Sequence, residues 1–252
     1  MKTTGLITRR RAIVAGLASI GGLALTRYPK DLPPTYGNLL RMGDTLTYAA
    51  HRTLLPGESL VREYSREDIT SFPATGTTNP AVSVQSALGD EYRQFQRRVF
   101  AEWRLSVEGR VATPRTFSLS ELKLLRSRTQ ITRHTCEEGW TAIGQWTGVP
   151  LSAVLGAVGI LPSARFVVFH SYDDWVDCID LLDALHPQTI LAYSMNGRDL
   201  PVPHGAPVRL RVERQMGYKS MKYLRRIVVA DEFDDGGRKG NIQNGWAWYT
   251  GI

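Results

Sequence analysis

The residues best equipped for chemistry cluster in one run, Arg133-His134-Thr135-Cys136-Glu137-Glu138-Gly139-Trp140. A thiol, an imidazole, a guanidinium and two carboxylates can together attack a carbon centre, hold a soft metal or move a proton. Three readings of Cys136 stand side by side. Free cysteine is among the most buried residue types, so Cys136 can be a small hydrophobe. It can pair with Cys178, because the chain holds just 2 cysteines and its N-terminus reads as an export signal. Or it is a functional thiolate, nucleophile or metal ligand, its pKa lowered by Arg133 and His134 and raised by Glu137 and Glu138. The two glutamates are open as well: general acid or base if buried, a solvated pair otherwise. Asp173, Asp174 and Asp177 suggest a divalent-cation site, although three acids around a tryptophan read more simply as a solvated loop.

The elements that must position these groups are short. Thr129 to Thr132 is β-branched and reads as a strand, and the Glu-Glu-Gly after Cys136 breaks it, so the cysteine stands on the lip of a loop. Trp103 to Gly109, Arg165 to His170, Thr189 to Met195, Val208 to Val212 and Ile227 to Val229 read as further strands, with a hairpin signal at Asn196-Gly197. Helical spacing runs from Asn38 to Leu55 and ends at Pro56-Gly57, with His51 a packed or solvent-edge residue. Ser118-x-x-Glu121 has capping-box spacing ahead of Leu122 to Leu125, and Pro150 opens a helix to Val158. Tyr64 to Pro80 is irregular. No internal repeat or second domain boundary is visible, so the fold class is α+β, a mixed, strand-rich single domain.

At 252 residues the chain suits one domain with a sizeable core. Thr8-Arg9-Arg10-Arg11 precedes the apolar, Gly/Ala-rich run Ala12 to Leu25, the form of a secretory signal of the twin-arginine type. Residues 1–37 are therefore expected to be signal segment and linker, and 38–252 the domain. The segment stays on as a membrane tether if it is not cleaved, since no clean A-x-A site follows. Lys2, Arg9, Arg10 and Arg11 carry four of the seven formal positive charges. What remains is a modest excess with no nucleic-acid stripe, suited to an anionic cofactor or a local substrate pocket.

Three blocks resemble the sulfite-oxidase family of molybdenum-cofactor enzymes: Cys136 with Trp140 and Trp146-Thr147-Gly148-Val149-Pro150-Leu151, then Asn196-Gly197-Arg198-Asp199-Leu200-Pro201 with His204-Gly205-Ala206-Pro207-Val208-Arg209, then Gly217-Tyr218-Lys219-Ser220-Met221-Lys222. They stand in the family's order between about residue 100 and about residue 231. The resemblance implies the sulfite-oxidase molybdopterin-binding fold and a molybdenum–molybdopterin cofactor with Cys136 as metal ligand. It puts Thr70, Pro73, Ala74, Ser171, His204, Arg209, Ser220, Met221 and Lys222 at cofactor contacts, Ser220 and Met221 mainly through backbone. Lys219 stands in a glycine-led loop expected to enter a helix and capture phosphate. His134 and Trp140 flank the cysteine and would shape the substrate face.

The implied activity is two-electron oxygen-atom transfer on a small-molecule substrate: reduction of an S-oxide or N-oxide, or oxidation of a small sulfur compound. An electron-transfer partner, membrane-bound or soluble, a periplasmic or cell-envelope location and a monomeric catalytic subunit go with it. Sulfite oxidases proper carry Ala-Gly-Asn-Arg-Arg after the cysteine. Here the acids Glu137 and Glu138 stand there and repel an oxyanion, so the chain looks closer to compact bacterial members that reduce methionine sulfoxide in the periplasm. Two other classes remain in view: an exported cysteine hydrolase using His134 or His170 as base, and a non-catalytic module with a Cys136–Cys178 disulfide. The C-terminal Trp246-Ala247-Trp248-Tyr249 is expected to pack back over the domain.

Overall fold

A computed structural model describes residues 39–55, 57–234 and 236–252; the signal segment and linker expected over 1–37 lie outside them. Among the described residues the strands form two sheets. The first runs β2 (Arg115–Ser118), β1 (Arg104–Gly109), β10 (Leu224–Ala230), β5 (Phe166–Ser171), β6 (Val176–Asp180). The second runs β3 (Arg128–Thr135), β4 (Thr141–Pro150), β7 (Ile190–Met195), β8 (Arg198–Asp199), with β9 (Arg209–Arg211) also paired to β7. Only β1 and β10 pair in parallel, with Ser106 opposite Arg226, whereas β3–β4 and β7–β8 are tight antiparallel hairpins. The core lies between the sheets: Leu105, Val107, Val167 and Ile227 of one meet Val149, Leu191 and Leu210 of the other. Trp103, fully buried, donates from Nε1 to the Leu224 carbonyl at 3.1 Å. Truncating such a residue costs about 3–5 kcal/mol.

The expected elements form, with shifted ends. Helix α1 (Leu39–Leu54) opens the described chain, and none of the described helices is long and apolar enough to cross a membrane. Ser118 and Glu121 cap one another's backbone amides and start α4 (Leu119–Leu124), three residues before the expected first turn. Asn196 and Gly197 take φ of 51° and 77° between β7 and β8, the left-handed pair that a two-residue hairpin needs. Short α2 (Pro80–Ser83), α3 (Ala87–Arg97), α5 (Leu151–Val158) and α6 (Leu181–Ala184) cover the sheets.

Two expectations are corrected, and one strand appears where none was read. Residues 141–150, in the cysteine block, are one ten-residue strand, whose alternation Gly144 and Gly148 hide from a periodicity reading. The acidic stretch is a solvated loop only in part: Asp173 and Asp174 stand in a half-buried turn, whereas Asp177 lies on β6, buried along its length, and is 4 % exposed. The glycine-led loop enters a 3-10 turn, Gly217–Lys219, and leads on to β10 instead of a helix.

Candidate functional site

The β3–β4 hairpin presents Cys136 at its tip, where the Cys136 amide donates to the Trp140 carbonyl at 2.9 Å. The tip opens on a cleft of about 310 Å³, within the range of small-ligand sites. Into it converge Cys136, His134 and Trp140 from the hairpin, Pro73 and Ala74 from the irregular loop, His204 and Arg209 around the Gly205 turn, and Ser220, Met221 and Lys222 ahead of β10. Residues up to about 150 positions apart in the chain thus share one wall.

The basic end is built from backbone. Gly205 has φ 109°, and a Cβ there would lie 2.9 Å from the Lys222 Cβ and 3.1 Å from that of Arg209. Only a glycine allows this approach. Arg209 donates to the His204 carbonyl at 3.0 Å and the Ser220 carbonyl at 2.8 Å, and lies 5.1 Å from the buried Trp146 ring. Its Nε has no hydrogen-bond partner among the described residues. Burial, and then Arg211 nearby, push its pKa down to about 9. Lys222 donates to the carbonyls of Thr75 (2.8 Å), Thr77 and Pro203 (3.2 Å); burial and Arg209 bring it down to about 8. His204 falls to about 4 by burial, Arg209 and Lys222. Tyr92 of α3 ties the turn from behind, donating to the Ala206 carbonyl at 2.7 Å.

A buried and a half-buried cation that face carbonyls, with Arg209 lowering the pKa of Lys222, are poised for an anion. A phosphate-bearing, planar organic group fits this end. The unpartnered Arg209 Nε offers a donor, and the thiol, a soft ligand in its deprotonated form, suits a metal such as molybdenum.

Arg133 and His134 do not activate that thiol. Burial, and Glu137 beside it, push Cys136 up to about 11, and its hydrogen bond goes to the Glu137 carboxylate at 3.5 Å. Arg133 is exposed and lies over the Tyr64 ring, 5.3 Å away. His134 is 8 % exposed, and burial with Arg211 drops its pKa to about 2. Its Nδ1 is 2.7 Å from an Arg211 nitrogen. A guanidinium can only donate, so Nδ1 accepts and the proton of the neutral ring sits on Nε2. Arg211 is itself held by a bidentate pair with buried Glu213 (2.9 and 2.8 Å). Gly217 touches the other side: a Cβ there would meet His134 Nε2 at 2.3 Å.

Other assignments change. Thr70 does not line the cleft; its backbone amide and hydroxyl pin the loop to Ile143 of β4 at 3.0 and 2.9 Å. Nor does Ser171, whose hydroxyl holds the Asp173 and Trp175 turn. Lys219 is 0 % exposed and donates to Asp177 at 2.5 Å and to the Cys178 carbonyl at 2.7 Å, so it has no access to a phosphate. The three aspartates scatter: Asp177 to Lys219, Asp174 to Lys239 at 2.8 Å, Asp173 to Ser171. Both cysteines are free, and Cys178 is buried in β6, which removes the disulfide module. His170 does not line the cleft and His134 is committed to Arg211, so neither histidine serves the hydrolase as its base.

The sequence reading missed several lining residues. Phe72 packs against His134 (5.1 Å), Trp140 (5.8 Å), Trp146 (5.3 Å) and His204 (5.7 Å). Tyr218, Asn241 and Trp246 line the cleft as well. The chain does carry a signal for Phe72, an aromatic ahead of Pro73; that for Trp246 is only its presence in an aromatic tail.

Residues 93–237 match the oxidoreductase molybdopterin binding domain family. The chain is 39 % identical over 162 residues to a protein of Azospira oryzae that carries the provisional name protein-methionine-sulfoxide reductase subunit YedZ1, covering 64 % of this chain and 60 % of that one. It is 33 % identical over 146 residues to the protein-methionine-sulfoxide reductase catalytic subunit MsrP of Ralstonia nicotianae, covering 52 % and 44 %. This chain thus spans less than two thirds of either relative. Among solved structures, the sulfane dehydrogenase SoxCD from Paracoccus pantotrophus superposes with a TM-score of 0.50 at 23 % identity, over 52 % of this chain and 39 % of that one, a likeness of fold alone.

Proposed function

The chain belongs to the oxidoreductase molybdopterin-binding domain family, and from that premise we propose that it reduces a small S-oxide by two-electron oxygen-atom transfer at a molybdenum–molybdopterin cofactor. Names of the relatives support the sulfoxide: both are methionine-sulfoxide reductase subunits. One observation carries the reading. The Cys136 thiol and the carbonyl-held cations Arg209 and Lys222 face a single cleft, although the chain separates them by 73 residues or more.

When bound, the cofactor supplies a metal that changes oxidation state by two electrons and exchanges an oxygen atom. Overall, a dialkyl sulfoxide takes up two electrons and two protons and leaves as the dialkyl sulfide and water. Cys136 would be the metal ligand, its thiol losing a proton to solvent on binding. Arg209, Lys222, His204 and the backbone of Ser220 and Met221 would hold the anionic end and the pterin, with Pro73 and Ala74 closing the near wall. His134, kept neutral with its proton on Nε2 by Arg211, would offer that proton as a fixed donor. Trp140 and Phe72 would exclude water around the hairpin tip. Residues 38–252 would form this unit, exported behind the twin-arginine segment to the periplasm or cell envelope, as a monomer served by a membrane or soluble electron donor.

The test is metal content and turnover. Protein from a molybdenum-sufficient host is expected to hold about one molybdenum per chain and to oxidise reduced viologen when given methionine sulfoxide. Cys136→Ala should lose at least 100-fold of that turnover, because a single thiolate is the anchor. A wild type without molybdenum, or a C136A enzyme as active as its parent, overturns the proposal.

A further inference from the structure

The mouth of the cleft has a chemistry of its own. Glu137 and Glu138 line it beside Trp140, whose indole N–H donates to the Glu138 carboxylate at 3.1 Å. Across the Gly217 turn, Tyr218 and Trp246 stack with ring centroids 5.6 Å apart and planes at 28°. Trp246 belongs to the tail that follows residue 237, where the family match ends. That tail is fixed by backbone hydrogen bonds and packing. The Met216 amide donates to the Thr250 carbonyl at 2.9 Å, the Ile252 amide to Arg214 at 3.0 Å, and the Tyr218 hydroxyl to the Ala247 carbonyl at 2.8 Å. Its anchoring aromatics are Trp248 and Tyr249, 5 % and 2 % exposed against Tyr48 of α1. Trp246 is 37 % exposed. It lines the cleft, so one of its faces stands at the opening.

Aromatic faces carry negative charge density, and carboxylates carry more. Such a rim attracts the positive end of a polarised S–O or N–O bond, with the alkyl groups on it, and repels an anion. Resting on the reading under Proposed function, we propose that Trp246 stacked on Tyr218, with Trp140, Glu137 and Glu138, is the specificity-determining rim of this enzyme. It admits uncharged or cationic alkyl oxides and turns anionic ones away. The basic end cannot do this, since its cations are engaged by backbone carbonyls.

Three oxides of similar size separate the cases with reduced viologen as donor: dimethyl sulfoxide, methylsulfinylacetate and 2-(methylsulfinyl)ethylamine. The holoenzyme should favour the neutral and cationic oxides over the anion in kcat/KM by about tenfold or more. Glu138→Gln should raise the anion-to-neutral ratio about three- to tenfold. Trp246→Ala should raise KM for dimethyl sulfoxide by about 2- to 30-fold, more than it changes kcat, and Trp246→Phe should restore most of it. A readout free of turnover is calorimetric binding of dimethyl sulfone, which should weaken in W246A by the same factor. If E138Q and W246A keep the parent's selectivity and sulfone affinity, or the wild type prefers the anion, the rim assignment is wrong while the proposed activity stands. If none of the oxides is reduced yet W246A still loses sulfone affinity, the activity fails and the rim survives.

Discussion

The two ends of the cleft are made by opposite means. At one end, buried cations are tied to backbone carbonyls and driven toward their neutral forms, Arg209 to about 9 and Lys222 to about 8. At the other, carboxylates and indoles line a partly open mouth. A buried cation that meets no carboxylate costs free energy unless something anionic arrives; a charge at an open mouth costs little and acts on what approaches. The first arrangement is a seat, the second a filter. The difference lies in the desolvation of each set, more than in residue type.

The largest expected effect strikes the seat. Arg209→Met should cut cofactor retention on the order of 30- to 1000-fold, about 2–4 kcal/mol of charge-assisted hydrogen bonding, while the melting temperature of the cofactor-free protein stays level or rises. Metal content after gel filtration and a thermal melt read the two halves; a cofactor-free variant that melts far below its parent would make Arg209 a structural prop. Gly217 joins the two ends. Gly217→Ala drives a methyl into His134 and should cost about 1–3 kcal/mol in denaturant unfolding, with a loss of turnover beyond what the stability change explains. Smaller still is a pH effect. Lys222 in the fold binds its proton less tightly than the ordinary value of 10.5, so the unfolded chain holds more protons between about pH 8 and 10.5. Stability of the cofactor-free protein from this group therefore rises with pH across that window. Anion affinity runs the other way and should fall a few-fold from pH 7 to 9.5, as Lys222 loses its charge. Lys222→Met should weaken both trends and leave the part that Arg209, brought down to about 9, carries at the upper end, followed by melts in phosphate at the two pH values.

Strands such as β5, β7 and β10 were legible because their apolar runs declare themselves. So was the capping box at Ser118. Strand β4 was not, since Gly148 makes room for Leu191 and Ala192 of β7 and Gly144 for the Phe72 ring, tertiary demands that no local pattern displays. Cys136, His204, Arg209 and Lys222 were read from three spaced motifs together, each being ordinary alone, and the fold brings the four to one cleft. Thr70 and Ser171 were placed at the cofactor by the same motifs, and their hydroxyls are instead spent on holding backbone. The Arg211–Glu213 pair that fixes His134 had no local signature: Glu213 lies 79 residues from that histidine, and only pairing of β9 with β7 in the sheet that carries β3 brings them together. Lys219 misled because basic residues after a glycine suit both a phosphate and a buried salt bridge, and the decider, Asp177, lies on β6.

Helix α1 and the tail are bound to one another. Tyr48 packs on Trp248 and Tyr249, and Arg52 bridges from α1 to Asp180 and Asp183 at 2.8 and 2.9 Å. The same tail puts Trp246 at the opening. The cleft is therefore a late event in the life of the polypeptide: its last wall is added only after residue 246 has left the ribosome and found the helix translated some two hundred residues earlier. A chain cut before residue 246 would have a gap where this one has a doorway.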